Sequence, residues 1–294
     1  MQILSRLLND CRESDRQIGM KIGITGGAVS ARIRKMLSNE VIKSFSLKIE
    51  PPAFGFGVLY IVVTGEDLDK ILNQVKLVGE PFFVVPCVGG ITVCAIVIKE
   101  DMKHKIELAK NLMKDVRVLS IFEAVQSINS DLTKTDLAII EELMKNPREK
   151  IDVIAKNTDF STKTVTRSIE KLQGNEAIMF SLVYEPTKLK DFIPFAILNW
   201  INDDVKKTLK QLNKEFSEYY MQKPFVAKNQ IVLFLYSDNI FKLDELMQKV
   251  RKTQGVTTAD LFIPKKIALL QEWVKNAVKE AERSPTLHLT YQVN

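Results

Sequence analysis

The spacing of apolar residues divides the chain into helical and extended stretches, and the same order comes twice. Ile3, Leu4, Leu7 and Leu8 share one face of a first helix over 3–9. Ser14 with Gln17 three residues on is a capping box, which starts a second helix near Asp15, and Gly23 ends it. Thr25 caps a third helix, in which Val29, Ile33, Met36 and Leu37 recur at i, i+4, i+7 and i+8. From Phe45 the period drops to two. Phe45, Leu47 and Ile49 alternate with polar residues, which predicts a wing strand carrying Lys43 and Lys48. Two small helices joined by a glycine turn, the second cationic, form a helix-turn-helix pattern. A helical hairpin with a solvated charged face is the alternative.

Pro51-Pro52 closes this unit, and the pattern changes. Strands are predicted over 58–63, 82–88, 91–98 and 116–125, and helices over 68–78 and 102–113. The order βαββαβ implies a four-stranded antiparallel sheet with two helices on one face, a ferredoxin-like α+β sandwich. The second half repeats both parts. Setting Ile3 on Ile139, an offset of 136, makes eleven of forty positions identical, among them Arg12/Arg148, Val29/Val165, Ile33/Ile169, Lys35/Lys171 and Glu40/Glu176. A tandem duplication is implied. Helices are expected over 132–143, 150–158 and 161–172, with Thr133 and Asp136 as a capping box. A wing strand over 179–183 and a second βαββαβ unit over 192–263 follow.

The predicted division is 1–50 and 131–186 as winged helix-turn-helix domains, and 51–130 and 187–264 as βαββαβ domains. The fold class is α+β, with the two kinds of domain alternating. Residues 265–281 are expected as a helix with Ile267, Leu270, Val274, Ala277 and Val278 inward, docked on its own domain. In the tail from Ser284, Leu287, Leu289, Tyr291 and Val293 alternate with polar residues, as a strand added to a neighbouring subunit would; disorder is the other reading.

At 294 residues, 46% hydrophobic and 27% charged, the chain can bury a sizeable core. No apolar run is long enough for a membrane span, and the N-terminus is too charged for a secretory signal. Cys11, Cys87 and Cys94 make no disulfide framework, so free thiols in a reducing cytoplasm are expected. Cys87 and Cys94 flank Gly89-Gly90 and are read as small buried residues, with a redox pair across a hairpin as the alternative. The formal charge of +6 is compatible with a nucleic-acid partner, and its distribution is uneven. Residues 1–50 hold nine Lys/Arg against five Asp/Glu, whereas residues 131–186 hold eight against ten. The first copy is therefore the expected stronger polyanion binder.

Chemistry leaves little trace. The two histidines, His104 and His288, lie far apart, and no Cys/His cluster has metal-ligand spacing. Gly55-x-Gly57 stands without the rest of a phosphate-binding motif. No catalytic residue, metal or cofactor is expected.

Arg12-x-Ser14-x-x-x-Ile18, then Val29-x-x-Arg32-Ile33-x-x-Met36-Leu37, then Val41-Ile42, resemble the Lrp/AsnC (feast/famine) transcriptional regulators of bacteria and archaea. The βαββαβ unit looks like that family's amino-acid-binding regulatory domain. The resemblance implies a regulator of archaeal type, with double-stranded DNA as partner, homodimer assembly and a small-molecule effector such as an amino acid. The matching hairpin here is Val88-Gly89-Gly90-Ile91-Thr92, so Gly89, Gly90 and Thr92 are the effector candidates. Sirohaem decarboxylases resemble the same architecture but use a histidine-rich stretch in the regulatory-type domain, and strands 82–98 and 219–236 contain no histidine. An interaction protein with degenerate winged helices is a further alternative.

In a helix-turn-helix the second helix enters the major groove and its N-terminal turns meet base edges. Its outward positions here are Gly26, Gly27, Ser30, Ala31, Arg34 and Lys35. Gly26 and Gly27 would permit close backbone approach to the duplex. Ser30 and Arg34 are the expected base readers, since arginine binds guanine in a bidentate way. Arg32, Lys35, Lys43 and Lys48 suit phosphate, and Thr25 at the cap is counted among the DNA-binding residues. In the second copy Ser161, Thr162, Lys163, Thr166, Arg167 and Lys171 occupy the equivalent surface, and Glu170 stands where Arg34 does.

Overall fold

The computed structural model describes residues 1–65, 67–99, 101–113, 116–125, 128 and 131–283. Helices α1 (Gln2–Asn9), α2 (Asp15–Ile22) and α3 (Gly26–Ser38) lead into strand β1 (Ile42–Ile49). Strand β2 (Gly57–Thr64), α4 (Leu68–Val78), β3 (Glu80–Pro86), β4 (Ile91–Ile98), α5 (Met102–Leu112) and β5 (Arg117–Glu123) follow. The second half begins with α6 (Lys134–Lys145), α7 (Ile151–Thr158), α8 (Thr162–Gly174) and β6 (Ile178–Tyr184). Then come β7 (Ile193–Ile201), α9 (Val205–Phe216), β8 (Tyr220–Ala227), β9 (Gln230–Ser237), α10 (Ile240–Arg251) and β10 (Val256–Phe262). A two-residue strand β11 (Ala268–Leu269) and helix α11 (Glu272–Arg283) end the described chain. The architecture is α+β.

Each βαββαβ run closes the same antiparallel sheet, β3-β4-β2-β5 in the first half and β8-β9-β7-β10 in the second. Odd residues of β2, Leu59, Ile61 and Val63, bury against α4 and α5 through Ile71, Val75 and Ala109. Even residues face the other way. There Tyr60 stacks on Phe122 at 5.3 Å, Phe122 meets Trp200 edge-on at 5.2 Å, and Tyr60 meets Phe225 at 6.3 Å. The helix-free faces of the two sheets are thus joined by aromatic contacts.

The expected wings are the joint between the halves. β1 does not stand at the edge of its helical unit; it pairs antiparallel with β6. Phe45 lies opposite Leu182 and Ser46 opposite Ser181. With 136 residues between equivalent positions, Phe45 corresponds to Ser181 and Ser46 to Leu182, so a local twofold axis passes between Phe45 and Ser46. An eight-residue strand with Leu47 and Ile49 on one side exposes apolar surface that an unpaired wing would leave in water. Arg12 and Arg148 clasp the ribbon reciprocally. Arg12 lies over Phe180 at 5.1 Å and donates to the Pro147 carbonyl at 2.8 Å, while Arg148 lies over Phe45 at 4.7 Å.

The C-terminal segment also departs from expectation. Residues 265–271 are not helical. Ala268 and Leu269 pair with Val84 and Phe83, the Lys265 N–H bonds the Pro86 carbonyl at 2.8 Å, and the Leu270 N–H bonds the Phe82 carbonyl at 2.8 Å. The outer edge of β3 offers backbone groups that need partners, and satisfying them outweighs the helical periodicity of Ile267 and Leu270. Helix α11 then docks on β3 and α6, outside its own βαββαβ unit. Its anchor is Trp273, 2% exposed and edge-on to Phe54 at 5.8 Å and Phe82 at 6.2 Å. Ser284 and the alternating tail lie outside the described residues.

Cys87 and Cys94 do not face each other. Cys94 sits opposite Val84, and the Cys87 thiol donates to the Val85 carbonyl at 3.4 Å. All three thiols are free and buried, and burial pushes each pKa up to about 12.

Candidate nucleic-acid interface

Local chemistry builds the first helical unit. The Gln17 N–H donates to the Ser14 hydroxyl and the Gln17 side chain returns to the Ser14 N–H, so both ends of the capping box are made. Gly23 ends α2 at φ 74°, and Asp159 takes the same left-handed place after α7 at φ 58°. Glu40 and Glu176, again equivalent, are both left-handed after the third helix of each unit. Val29 and Ile33 bury the inner face of α3 against Ile18, Leu4 and Leu7, whereas Leu37, expected on that stripe, is 39% exposed. Gly26 serves a different purpose from the one expected. A Cβ there would lie 3.2 Å from the Arg16 backbone, so this half-buried glycine lets α3 cross α2 closely.

At 100° per residue the crest of α3 carries Gly27 and Ala31, flanked on one side by Ser30 and Arg34 and on the other by Arg32 and Lys35. Gly27, Ala31, Arg32, Arg34 and Lys35 are exposed and Ser30 is half-buried. Thr25 is exposed, and its hydroxyl accepts the Ala28 N–H at 3.2 Å as cap. Arg32 and Lys35 line a groove of 440 Å³ floored by Ile3, Ile22 and Met36. Lys43 is exposed and lies 3.5 Å from Glu40. Lys48 is not free for a phosphate: it pairs with Glu50 at 2.5 Å and lies 5.8 Å from the Phe225 ring.

The second unit places different chemistry on the same frame. Ser161 caps α8 through the Thr164 N–H at 3.1 Å. Lys163 and Arg167 stand exposed on the crest, with Thr162 exposed at the N-terminus. Thr166 is half-buried and turns its hydroxyl back to the Thr162 carbonyl at 2.9 Å. Lys171, expected to face DNA, is engaged within the protein. Its ammonium donates to Asp136 at 2.6 Å and to the Asp131 carbonyl at 2.7 Å. Asp136 is 2% exposed and also accepts from Ser168 at 2.5 Å and from the Thr133 hydroxyl at 2.8 Å. Burial pushes this carboxyl up, but the hydrogen bonds from Lys171, Ser168 and Thr133 pull it down further, to below the ordinary aspartate value. The sequence marked Asp136 as a cap; that its carboxylate also binds α8 follows only from the helix packing.

Away from the helices, Gly89 and Gly90 turn the β3–β4 hairpin at φ 80° and 72°, and the Gly65 N–H bonds the Gly90 carbonyl at 3.1 Å. Thr92 is buried in the strand that follows. Strands β3, β4, β8 and β9 contain no histidine, and His104 is exposed on α5. Among the described residues no group of three or more His, Cys, Asp or Glu could hold a metal, and no helix is long and apolar enough to cross a membrane.

Two capped helical pairs on a shared β-ribbon, each joined to a ferredoxin-like sheet, define the class: a helix-turn-helix protein with paired α+β domains. Comparison with known proteins narrows it. Residues 1–37 match the AsnC-type helix-turn-helix domain, and residues 132–178 match a winged helix-turn-helix DNA-binding model. The chain is 27% identical over 106 residues to the HTH-type transcriptional regulator Ptr1 of Methanocaldococcus jannaschii, covering 35% of this chain and 72% of that one. It is 42% identical over 55 residues to the HTH-type transcriptional regulator LrpB of Bacillus subtilis, covering 19% of this chain and 37% of that protein. The first helical unit is thus similar to the AsnC-type helix-turn-helix and the second to the winged type, and the relatives that the chain matches are helix-turn-helix transcriptional regulators. Among solved structures, the sirohaem decarboxylase NirDL superposes with a TM-score of 0.50 at 10% identity, covering 95% of this chain and 98% of that one. This likeness is one of fold.

Proposed function

We propose that the chain is a DNA-binding transcriptional regulator that sets α3 and α8 into major grooves of one duplex. The observation that carries this is the twofold joint of β1 and β6, which holds two capped helices with exposed cations in one chain. Half-sites about one helical turn apart suit such a pair. A single chain would then stand where the family resemblance implies a homodimer, as expected of a tandem duplication. A homodimer of this chain would carry four such helices. Ser30 and Arg34 read bases beneath α3, with Thr25, Arg32, Lys35 and Lys43 near the backbone. Ser161, Thr162, Lys163, Thr166 and Arg167 meet the duplex beneath α8. In this reading residues 1–50 and 131–186 hold DNA, and 51–130 and 187–264 serve assembly and sensing. A small-molecule effector such as an amino acid is placed at the hairpin of Gly89, Gly90 and Thr92. Residues 265–283 brace the first sheet, and no catalytic step is assigned.

The test is duplex binding across a salt series, with sites selected from random DNA. Affinity should fall steeply and linearly on a log–log plot against salt. Arg34→Ala should weaken the selected site by about 1–3 kcal/mol and relax one base position. Equal loss on selected and random duplexes would remove the base-reading role, and binding indifferent to salt would remove the regulator reading altogether. A spectral change on mixing with sirohaem would instead favour an enzyme on this fold.

A further inference from the structure

The local twofold at Phe45 and Ser46 makes every exposed residue of α3 comparable with one on α8, 136 residues on. At the crest, Gly27 is matched by Lys163 and Ala31 by Arg167. On one flank, Ser30 is matched by Thr166 and Arg34 by Glu170. On the other, Arg32 is matched by Ser168, which is 7% exposed and bonded to Asp136. Lys35 is matched by Lys171, which Asp136 and Asp131 already hold. The frame is twofold and the surface laid on it is not.

We propose that the binding site of this chain on DNA is asymmetric, its two half-sites read by different side chains at the crest and on the flank of Ser30 and Arg34. This rests on the DNA-binding reading above. Beneath α8, Lys163 and Arg167 stand on the crest, where long cationic donors reach guanine O6 and N7. Beneath α3 the crest is Gly27 and Ala31, which carry no hydrogen-bonding side-chain group, and a methyl contact with thymine is what an alanine can offer. On α3 the arginines stand on the flanks instead, Arg34 on one side and Arg32 on the other. Where Arg34 would meet a phosphate or a guanine, Glu170 presents a carboxylate, which repels phosphate and accepts from cytosine N4. A palindrome offers two identical half-sites, which can suit at most one of the two helices. The asymmetric duplex also fixes the direction in which the protein lies on it.

Selection of the full chain against random duplexes, followed by binding to the selected duplex and to palindromes rebuilt from each of its halves, tests this. The expected result is a motif without twofold symmetry that binds on the order of tenfold more tightly than either palindrome. Arg167→Ala should relax base preference at one end of the motif only, and Arg34→Ala at the other end only. Both side chains are exposed, so the fold should tolerate their loss. A palindromic motif bound with a steep salt slope, or relaxation of the same end by both variants, overturns asymmetric recognition while leaving DNA binding intact. The absence of any salt-sensitive duplex binding overturns this inference together with the reading it rests on.

Discussion

Asp136→Ala tests how the second recognition helix is held. The carboxylate receives the Thr133 N–H at 2.8 Å, the Thr133 hydroxyl at 2.8 Å, the Ser168 hydroxyl at 2.5 Å and the Lys171 ammonium at 2.6 Å. Loss of its part in the α6 cap costs about 1 kcal/mol. The Ser168 hydroxyl, 7% exposed, loses its acceptor, at about 1–3 kcal/mol. Lys171, whose side chain is 40% exposed, returns to water at little net cost. The expected destabilisation is about 2–4 kcal/mol, read from urea unfolding at constant slope. The effect should depend on pH with a definite sign. The folded pKa of Asp136 is below its unfolded value, so its contribution is complete above about pH 4 and is lost as pH falls through the folded value. Wild type and variant should therefore converge in stability in acid. Freed from Asp136, Lys171 can face the duplex, and the salt slope of DNA binding should steepen by about one charge. A loss under 1 kcal/mol that is unchanged down to low pH would refute the view that this carboxylate pins α8.

Further outcomes are expected elsewhere. Trp273→Ala should cost about 3–5 kcal/mol in thermal or urea unfolding, because it empties the site between Phe54 and Phe82; Trp273→Phe should recover part of this. Cys11, Cys87 and Cys94 should resist a thiol reagent at pH 8 until the protein unfolds, since burial pushes their pKa values up to about 12. Replacing Arg32, Arg34 and Lys35 together with alanine should reduce duplex affinity more than replacing Lys163 and Arg167, as gel shifts would show. The reverse order would contradict the charge balance of the two units.

Much of this molecule is legible in its linear pattern. Element type followed period: 3.6 for Val29 and Ile33, two for Phe45, Leu47 and Ile49. Capping residues marked three helix starts, because Ser14, Thr25 and Thr133 act on N–H groups three residues away. The alternation of helical pairs with βαββαβ units, and the repeat at 136, needed nothing beyond the chain itself. Contacts between distant segments lay out of reach. An alternating strand declares that it must pair, and it names no partner; β1 met β6 only when both halves were in place. Local periodicity predicts a helix over 265–271 because it is blind to the open edge of β3. Lys35 and Lys171 are the same residue, equivalent by offset and both exposed, yet only Lys171 has its ammonium held by a buried carboxylate. A side chain's availability to a ligand depends on what the fold packs beside it, and that is decided in three dimensions.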